Sequence, residues 1–307
     1  MLSAAASFAL VACGNSDKKK KKKQRTKVEW NVNNLSPLDK GNYEGWLVGS
    51  DGKVHSTGKF DINAKGNLVD KKDKALDDNV FKANSKVDSP RAAVITVEPK
   101  NDSNKGPSNS KFLAGEFSGG SADLTVGDSR AIGSSFDGAE TTYILATPTN
   151  GDGTNEKAGI WFLDPSGGSK SRGLNNNAPD LTDVSGWTYE GWVVFETSSG
   201  NMRPVSTGKF DNPNKADEAA PYSGSQMNRA LGFPGEDFLK NAPSGLSFPQ
   251  DLNDHNVVIS VEPKPDPTEK PFALKPIAGS IPSDAGDHEA LTIGSGVPKP
   301  SATASLP

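Results

Sequence analysis

The chain has 307 residues, of which 33% are hydrophobic, with 32 glycines and 22 prolines. That length suits about two domains of ordinary size, and the Gly/Pro content favours short strands and many turns over helices. Charge is unevenly spread: Lys18 to Lys23, Arg25 and Lys27 supply eight of the 34 bases with Asp17 as the one acid nearby, so Glu29 onward holds 26 bases against 37 acids, a net of −11. An acidic body repels phosphate backbones, which argues against nucleic acid as a partner of the folded part. No apolar run reaches the roughly 18 residues of a membrane-spanning helix.

Taken in chain order, the first feature is "SAAASFALVAC", a short apolar segment ending at Cys13, the single cysteine. One cysteine allows neither an internal disulfide nor a cysteine-based metal site. Small residues before a cysteine, with a polar linker behind it, resemble a bacterial lipobox, although no basic residue precedes the apolar stretch. The resemblance implies lipidation at Cys13, with residues 1–13 as signal peptide and lipobox, a membrane anchor, and a place in the cell envelope, at the outer membrane or cell surface rather than the inner membrane. Residues 14–27 read as a disordered, solvated tether, with contact to nucleic acid or anionic lipid as the alternative for its lysine run.

From Tyr43 the chain reads "YEGWLVGSDGKVHSTGKFD", and from Tyr189 "YEGWVVFETSSGNMRPVSTGKFD". "VITVEPK" at Val94 returns as "VISVEPK" at Val258, "LAG" at Leu113 as "IAG" at Ile277, and "LTVG" at Leu124 as "LTIG" at Leu291. Order is kept throughout, so a module of about 100 residues or more has been duplicated. The repeated runs alternate as strands do. Ala93, Ile95 and Val97 share one face, as do Val257, Ile259 and Val261, and that face is expected in the core. The other face carries Thr96 and Glu98, or Ser260 and Glu262, and is expected to be wet. Glu44, Trp46 and Val48 oppose Tyr43, Gly45 and Leu47, with Gly45 marking a bulge or a close neighbour.

The expected fold is therefore all-β, with two tandem immunoglobulin-like β-sandwich modules at 28–139 and 140–294 and a disordered tail at 295–307. Tyr143–Thr147 and Gly159–Leu163 read as a hairpin that opens the second module or bridges the pair. Between "STGKFD" and "VIxVEP" copy one has 32 residues and copy two 46, an excess of 14. Within this longer segment, "FPGEDFLKNAP" is expected to form a short helix. Its aromatic residues either cap the core or line a binding loop, and Tyr222 and Phe233 are the candidate binding residues.

The pattern Tyr-x-x-Trp-Leu-Val, Ser-Thr-Gly-x-Phe-Asp, Val-x-Val-Glu-Pro and Leu-Ala-Gly resembles the C-terminal, extracytoplasmic domain of anti-sigma-K factors. The longer phrases "YILATPTNGD", "GIWFLDP" and "FPGEDFLKNAPSGLSFPQDL" look like tandem-copy lipoproteins of Bacteroidetes type. This resemblance covers roughly 28–127 and 140–294 and implies a β-sandwich outside the inner membrane. The chain lacks the helical sigma-binding domain, the spanning helix and the His/Cys zinc motif found among anti-sigma proteins, so anti-sigma activity is not carried over.

Chemistry is sparse. His55, His255 and His288 are the histidines, and no Gly-x-Ser-x-Gly elbow accompanies them. Asp284, Asp287 and His288 read as a polar loop rather than a metal site, and Asp152 and Glu156 as a turn rather than a calcium loop. Glu98 and Glu262 read as structural acids that Lys59 and Lys209 pair across the sheet, and Trp46 and Trp192 as packing residues. No cofactor, catalytic residue or metal is expected. The leading expectation is a non-enzymatic envelope protein that binds an envelope protein or glycan, or is structural. The alternatives are a hydrolase or carbohydrate-active enzyme with its site between modules, or a signalling partner of an anti-sigma system.

Overall fold

A computed structural model describes residues 25–70, 74–76 and 78–307. Cys13, the lipobox-like segment before it and the lysine run lie outside these described residues. Among them the chain is all-β. The strands of the first half are β1 (Lys27–Asn33), β2 (Asn42–Val48), β3 (Val54–Ile62), β4 (Leu68–Val69), β5 (Val80–Lys82), β6 (Ala92–Glu98), β7 (Lys111–Glu116) and β8 (Ser121–Thr125). Then follow β9 (Glu140–Leu145), β10 (Gly159–Trp161), β11 (Leu163–Asp164), β12 (Ser171–Arg172), β13 (Trp187–Glu196) and β14 (Met202–Phe210). The last are β15 (Gly235–Asp237), β16 (Asn256–Pro263), β17 (Ile277–Ser280), β18 (Leu291–Gly294) and β19 (Ser301–Ser305). No helix among the described residues is long and apolar enough to cross a membrane.

The repeated phrases occupy the same places in their sheets. One ladder runs β4-β3-β2-β6-β7-β8-β19-β1-β5, and a second carries β14-β13-β16-β17 in the order that matches β3-β2-β6-β7. Each "YEGW" strand pairs with its "STGKF" strand through a register shift after the glycine, between Gly45 and Trp46 and between Gly191 and Trp192. The partner glycines Gly58 and Gly208 sit at φ +118° and +117°, a left-handed conformation that a side chain rarely adopts. The hairpin expected at 143–163 forms, with Ile160 opposite Leu145.

The core faces are those the alternation predicts. Ala93, Ile95 and Val97 join Val257, Ile259 and Val261 in one hydrophobic cluster with Tyr43, Leu47, Tyr189 and Val193. The tyrosines are fixed alike: Tyr43 donates to the Ser36 carbonyl and Tyr189 to that of Pro179, both at 2.9 Å. Phe60 on β3 and Phe81 on β5 meet edge-on with ring centroids 5.8 Å apart, so the nine-stranded ladder curls until its two ends pack together. The halves meet through Phe112, Trp187 and Phe272, whose rings lie 4.9–6.0 Å apart.

Three expectations are corrected. The tail at 295–307 is not disordered throughout: β19 pairs with β1 on one side and β8 on the other. Its Ala302 and Ala304 are small enough to bury against both neighbours. The tether ends earlier than expected, because Lys27 already belongs to β1 and opposes Lys82. "FPGEDFLKNAP" is not helical. Gly235–Asp237 pairs as β15 with β10, since backbone pairing to an open sheet edge satisfies its amides better than an isolated turn of helix.

Candidate functional site

Duplication has built the same constellation of polar side chains twice. Glu44 on β2 stands opposite Lys59 on β3, and Glu190 on β13 opposite Lys209 on β14. Lys59 Nζ lies 3.8 Å from Glu44 and 3.7 Å from Asp102, and Lys209 Nζ lies 3.5 Å from Glu190 and 2.6 Å from Asp266. One strand over, the indole of Trp46 donates to Thr96 at 2.9 Å, and Thr96 donates to Glu98. In the second copy Trp192 donates to Ser260 at 2.8 Å, and Ser260 to Glu262. The inner glutamates also hold the loop after their strand: Glu98 accepts the amide of Ser108 at 3.0 Å and Glu262 that of Phe272 at 2.8 Å.

Two sequence expectations change here. Glu98 and Glu262 are not on a wet face, being 1% and 0% exposed. Nor are they the ion-pair partners of Lys59 and Lys209, which instead meet Glu44 and Glu190 directly opposite them. The reason is that the loop after each "VEP" strand folds back over the sheet and covers a face that alternation alone makes polar. In each inner glutamate one oxygen, Oε2, is buried without a hydrogen bond. Burial pushes Glu262 from the ordinary 4.5 up to about 8, against the lowering effects of the Phe272 amide and the Ser260 hydroxyl. Glu44 and Glu190 are raised too, by burial first, opposed by hydroxyls and the facing lysine. Lys209 is raised because Asp266 and Glu190 outweigh the opposing effect of its burial.

Beside the tryptophan of each copy lies a cleft, and the two clefts differ. On copy one a cleft of about 510 Å³ is lined by Trp46, Val48, Val54, Val94 and Ala131, with Lys111 and Arg130 among its polar lining. Arg130 is held by Asp128 at 2.7 Å and Glu116 at 3.0 Å, so its charge is matched. On copy two a cleft of about 310 Å³ is lined by Glu190, Trp192, Arg203, Ser206, Tyr222 and Asp266. Tyr222 comes from the longer segment of that copy. It stacks on Phe238 at 5.7 Å and meets Phe248 edge-on at 5.5 Å, so packing fixes its ring while it stays half-exposed. Arg203 is held by the Ser244 carbonyl at 2.7 Å, also from that segment.

Phe233, the other candidate, is elsewhere: it packs against the cluster of Ile144, Ala146, Trp161 and Leu163. The same segment holds three acids, Glu236 and Asp237 fully buried and Asp217 half-buried. Glu236 accepts from Ser223 and is pushed by burial up to about 8, and Asp217 accepts the Gly235 amide at 2.8 Å and is pushed by burial to about 7. Asp237 accepts from Thr149 and from the Trp161 indole at 2.9 Å, and is also raised by burial.

Two further polar loops have local partners. Glu156 closes its loop by accepting the amides of Gly153 at 2.6 Å and Thr147 at 3.2 Å, which is the turn the sequence predicts. Asp287 and His288 touch at 3.1 Å, but among the described residues no group of three or more acids, histidines or cysteines is arranged to hold a metal. Sequence reasoning missed Glu44, Glu190, Asp102 and Asp266 as members of the repeated constellation. The signal was available: "YEGW" and "VEPKxD" both return with the acid in place. No protein-family model, curated protein or solved structure matches this chain.

Proposed function

We propose that the chain is a lipid-anchored envelope protein built from two tandem β modules, and that its second copy binds an envelope glycan without chemical turnover. The observation that carries this reading is the difference between the copies over one repeated scaffold. The 14 additional residues of copy two lie in the segment that sets Tyr222 beside Trp192, Glu190 and Arg203. An aromatic face beside ionic and hydroxyl groups matches a sugar, whose carbon face stacks on rings while its hydroxyls pair with polar groups. Of the acids that line this cleft, Glu190 and Asp266 are both paired with Lys209, and Glu269 lies 3.7 Å from Lys40. That pairing favours binding over acid–base chemistry, which needs a free proton donor and acceptor. The lipobox-like sequence at Cys13 and the resemblance to outward-facing domains of anti-sigma-K factors support the location.

The test is binding to cell-wall glycan fragments by Tyr222→Ala and Phe233→Ala, each with a melting curve. Tyr222→Ala is expected to weaken binding at least about tenfold, as loss of one stacking aromatic does, at a temperature where its melting curve shows the protein still folded. Phe233→Ala is expected to lower the melting temperature and keep binding. Intact binding by Tyr222→Ala would remove the cleft from consideration.

A further inference from the structure

The described chain begins in a cluster of bases whose placement is unfavourable unless an anion faces it. Lys27 and Lys82 are directly opposite across the β1–β5 pair, and both are exposed. Like charges at opposed positions of an antiparallel pair repel and weaken it. The strands are nevertheless held in register by the surrounding backbone. Ala83 donates to the Thr26 carbonyl at 2.8 Å, and the Val87 amide to the Thr26 hydroxyl at 2.8 Å. This pins Arg25 and Lys27 beside Lys86. Arg25, Lys27 and Lys86 line a cleft of about 400 Å³ together with Pro90 and Leu306. The acids close by are Asp88, which pairs with Lys86 at 2.6 Å, Glu29, two positions along β1, and the terminal carboxylate on Pro307, which lines the cleft. Bases therefore remain in excess on a body whose net charge is −11 from Glu29 onward.

We propose that this surface, Arg25, Lys27, Lys82 and Lys86 around the Leu306 cleft, docks on an anionic phospholipid bilayer. Charge complementarity selects the partner: bases around a partly apolar cleft match a phosphate-bearing surface with a glycerol and acyl layer beneath it. The position on the chain agrees. Lys18 to Lys23 lie immediately before this surface in sequence and add six positive charges of the kind that anionic membranes attract. Twelve residue steps separate Cys13 from Arg25, a reach of at most about 40 Å when fully extended. A lipid at Cys13 would therefore keep this basic end, more than any other part of the body, near the headgroups. Docking there limits how the anchored body can turn relative to the membrane.

Docking by charge does not require the lipid, so the full chain carrying Cys13→Ala is the protein to use. Its cosedimentation is measured with phosphatidylcholine vesicles and with vesicles containing one quarter phosphatidylglycerol. Binding is expected with the anionic vesicles alone, and it should fall as salt is raised, since exposed charges are screened. Adding Lys27→Gln, Lys82→Gln and Lys86→Gln together should weaken it at least about tenfold. The same charge change at the exposed loop lysines Lys170, Lys215 and Lys240 should leave it within about twofold. A melting curve guards against misfolding, and the patch variant should melt no lower than its parent because a repulsion has been removed. Undiminished binding by the patch variant would assign the effect to the lysine run alone and overturn the proposal. So would equal binding to neutral vesicles, absence of binding, or binding to a soluble polyanion but not to vesicles. Fatty-acid labelling of wild type against Cys13→Ala tests the anchor separately, so failure of one reading is distinguishable from failure of the other.

Discussion

At the scale of single residues, the protein holds Glu262 and Glu236 where water cannot reach them, and Asp217 half-buried. Glu262 and Glu236 are raised to about 8 and Asp217 to about 7, in each case chiefly by burial. The sign follows from which state holds the proton. The folded protein keeps these carboxyls protonated up to pH 7–8, whereas the unfolded chain releases them near 4–4.5. Their contribution to stability is therefore full below about pH 4 and is lost progressively as pH rises to about 8. Glu262→Gln keeps the shape and removes the titration, and Gln can still accept from Ser260 and Phe272. Melting curves at pH 5 and pH 9 should show the variant gaining on wild type at pH 9 by roughly 1–3 kcal/mol, the size of one unsatisfied buried group. An equal gap at the two pH values would mean that Glu262 does not titrate in this range. The alternation of "VISVEP" identified Glu262 as a polar neighbour of Ser260. It could not show burial, because what covers that face is a loop ten residues further along.

At the scale of elements, the bulge in each "YEGW" strand explains why the phrase recurs. At Gly45 a Cβ would meet Thr57 Oγ1 at 2.6 Å and the Trp30 ring at 2.8 Å, and at Gly191 it would meet Thr207 and the Phe162 ring, the latter at 2.7 Å. The glycine lets a large ring from a neighbouring segment lie across the bulge, and the following tryptophan then faces the opposite side of the sheet. Gly191→Ala should destabilise the protein by about 1–3 kcal/mol through overpacking, read as a lower urea midpoint. An unchanged midpoint would show that Phe162 can move aside. The strand faces of β6 and β16 were legible from period alone, since residues two apart must share a side. The strand β15 was not: "GED" has low strand propensity, and pairing with β10 at a sheet edge overrides it.

For the whole molecule, the C-terminal strand completes the first half. In copy two, β9 lies between β18 and β10. In copy one the corresponding place, between β8 and β1, is taken by β19 from the other end of the sequence. The first half is thus closed by residues about 175 positions beyond its last strand β8. Removing residues 298–307 should leave β1 and β8 without their shared partner and destabilise the protein by more than about 3 kcal/mol. Hydrogen exchange should locate the loss at Val28–Val32 and Ala122–Leu124. Protection there equal to the full chain would show that the strand contributes nothing to closure.

What the sequence by itself determined was everything carried by local pattern: the all-β class, the duplication, the hairpin at 143–163, and the inward faces of β6 and β16. Strand period and turn chemistry act between near neighbours, so they are written in consecutive residues. The tertiary structure alone decided which glutamates pair with the lysines, how Tyr222 comes to line one cleft with Trp192, and where Ser301–Ser305 belongs. Each depends on contacts between segments far apart in sequence. The Pro/Ser/Ala-rich tail shows why this matters. Its alanines form a weak strand signal alone, but between two waiting strands they supply hydrogen bonds on both edges and side chains small enough to fit.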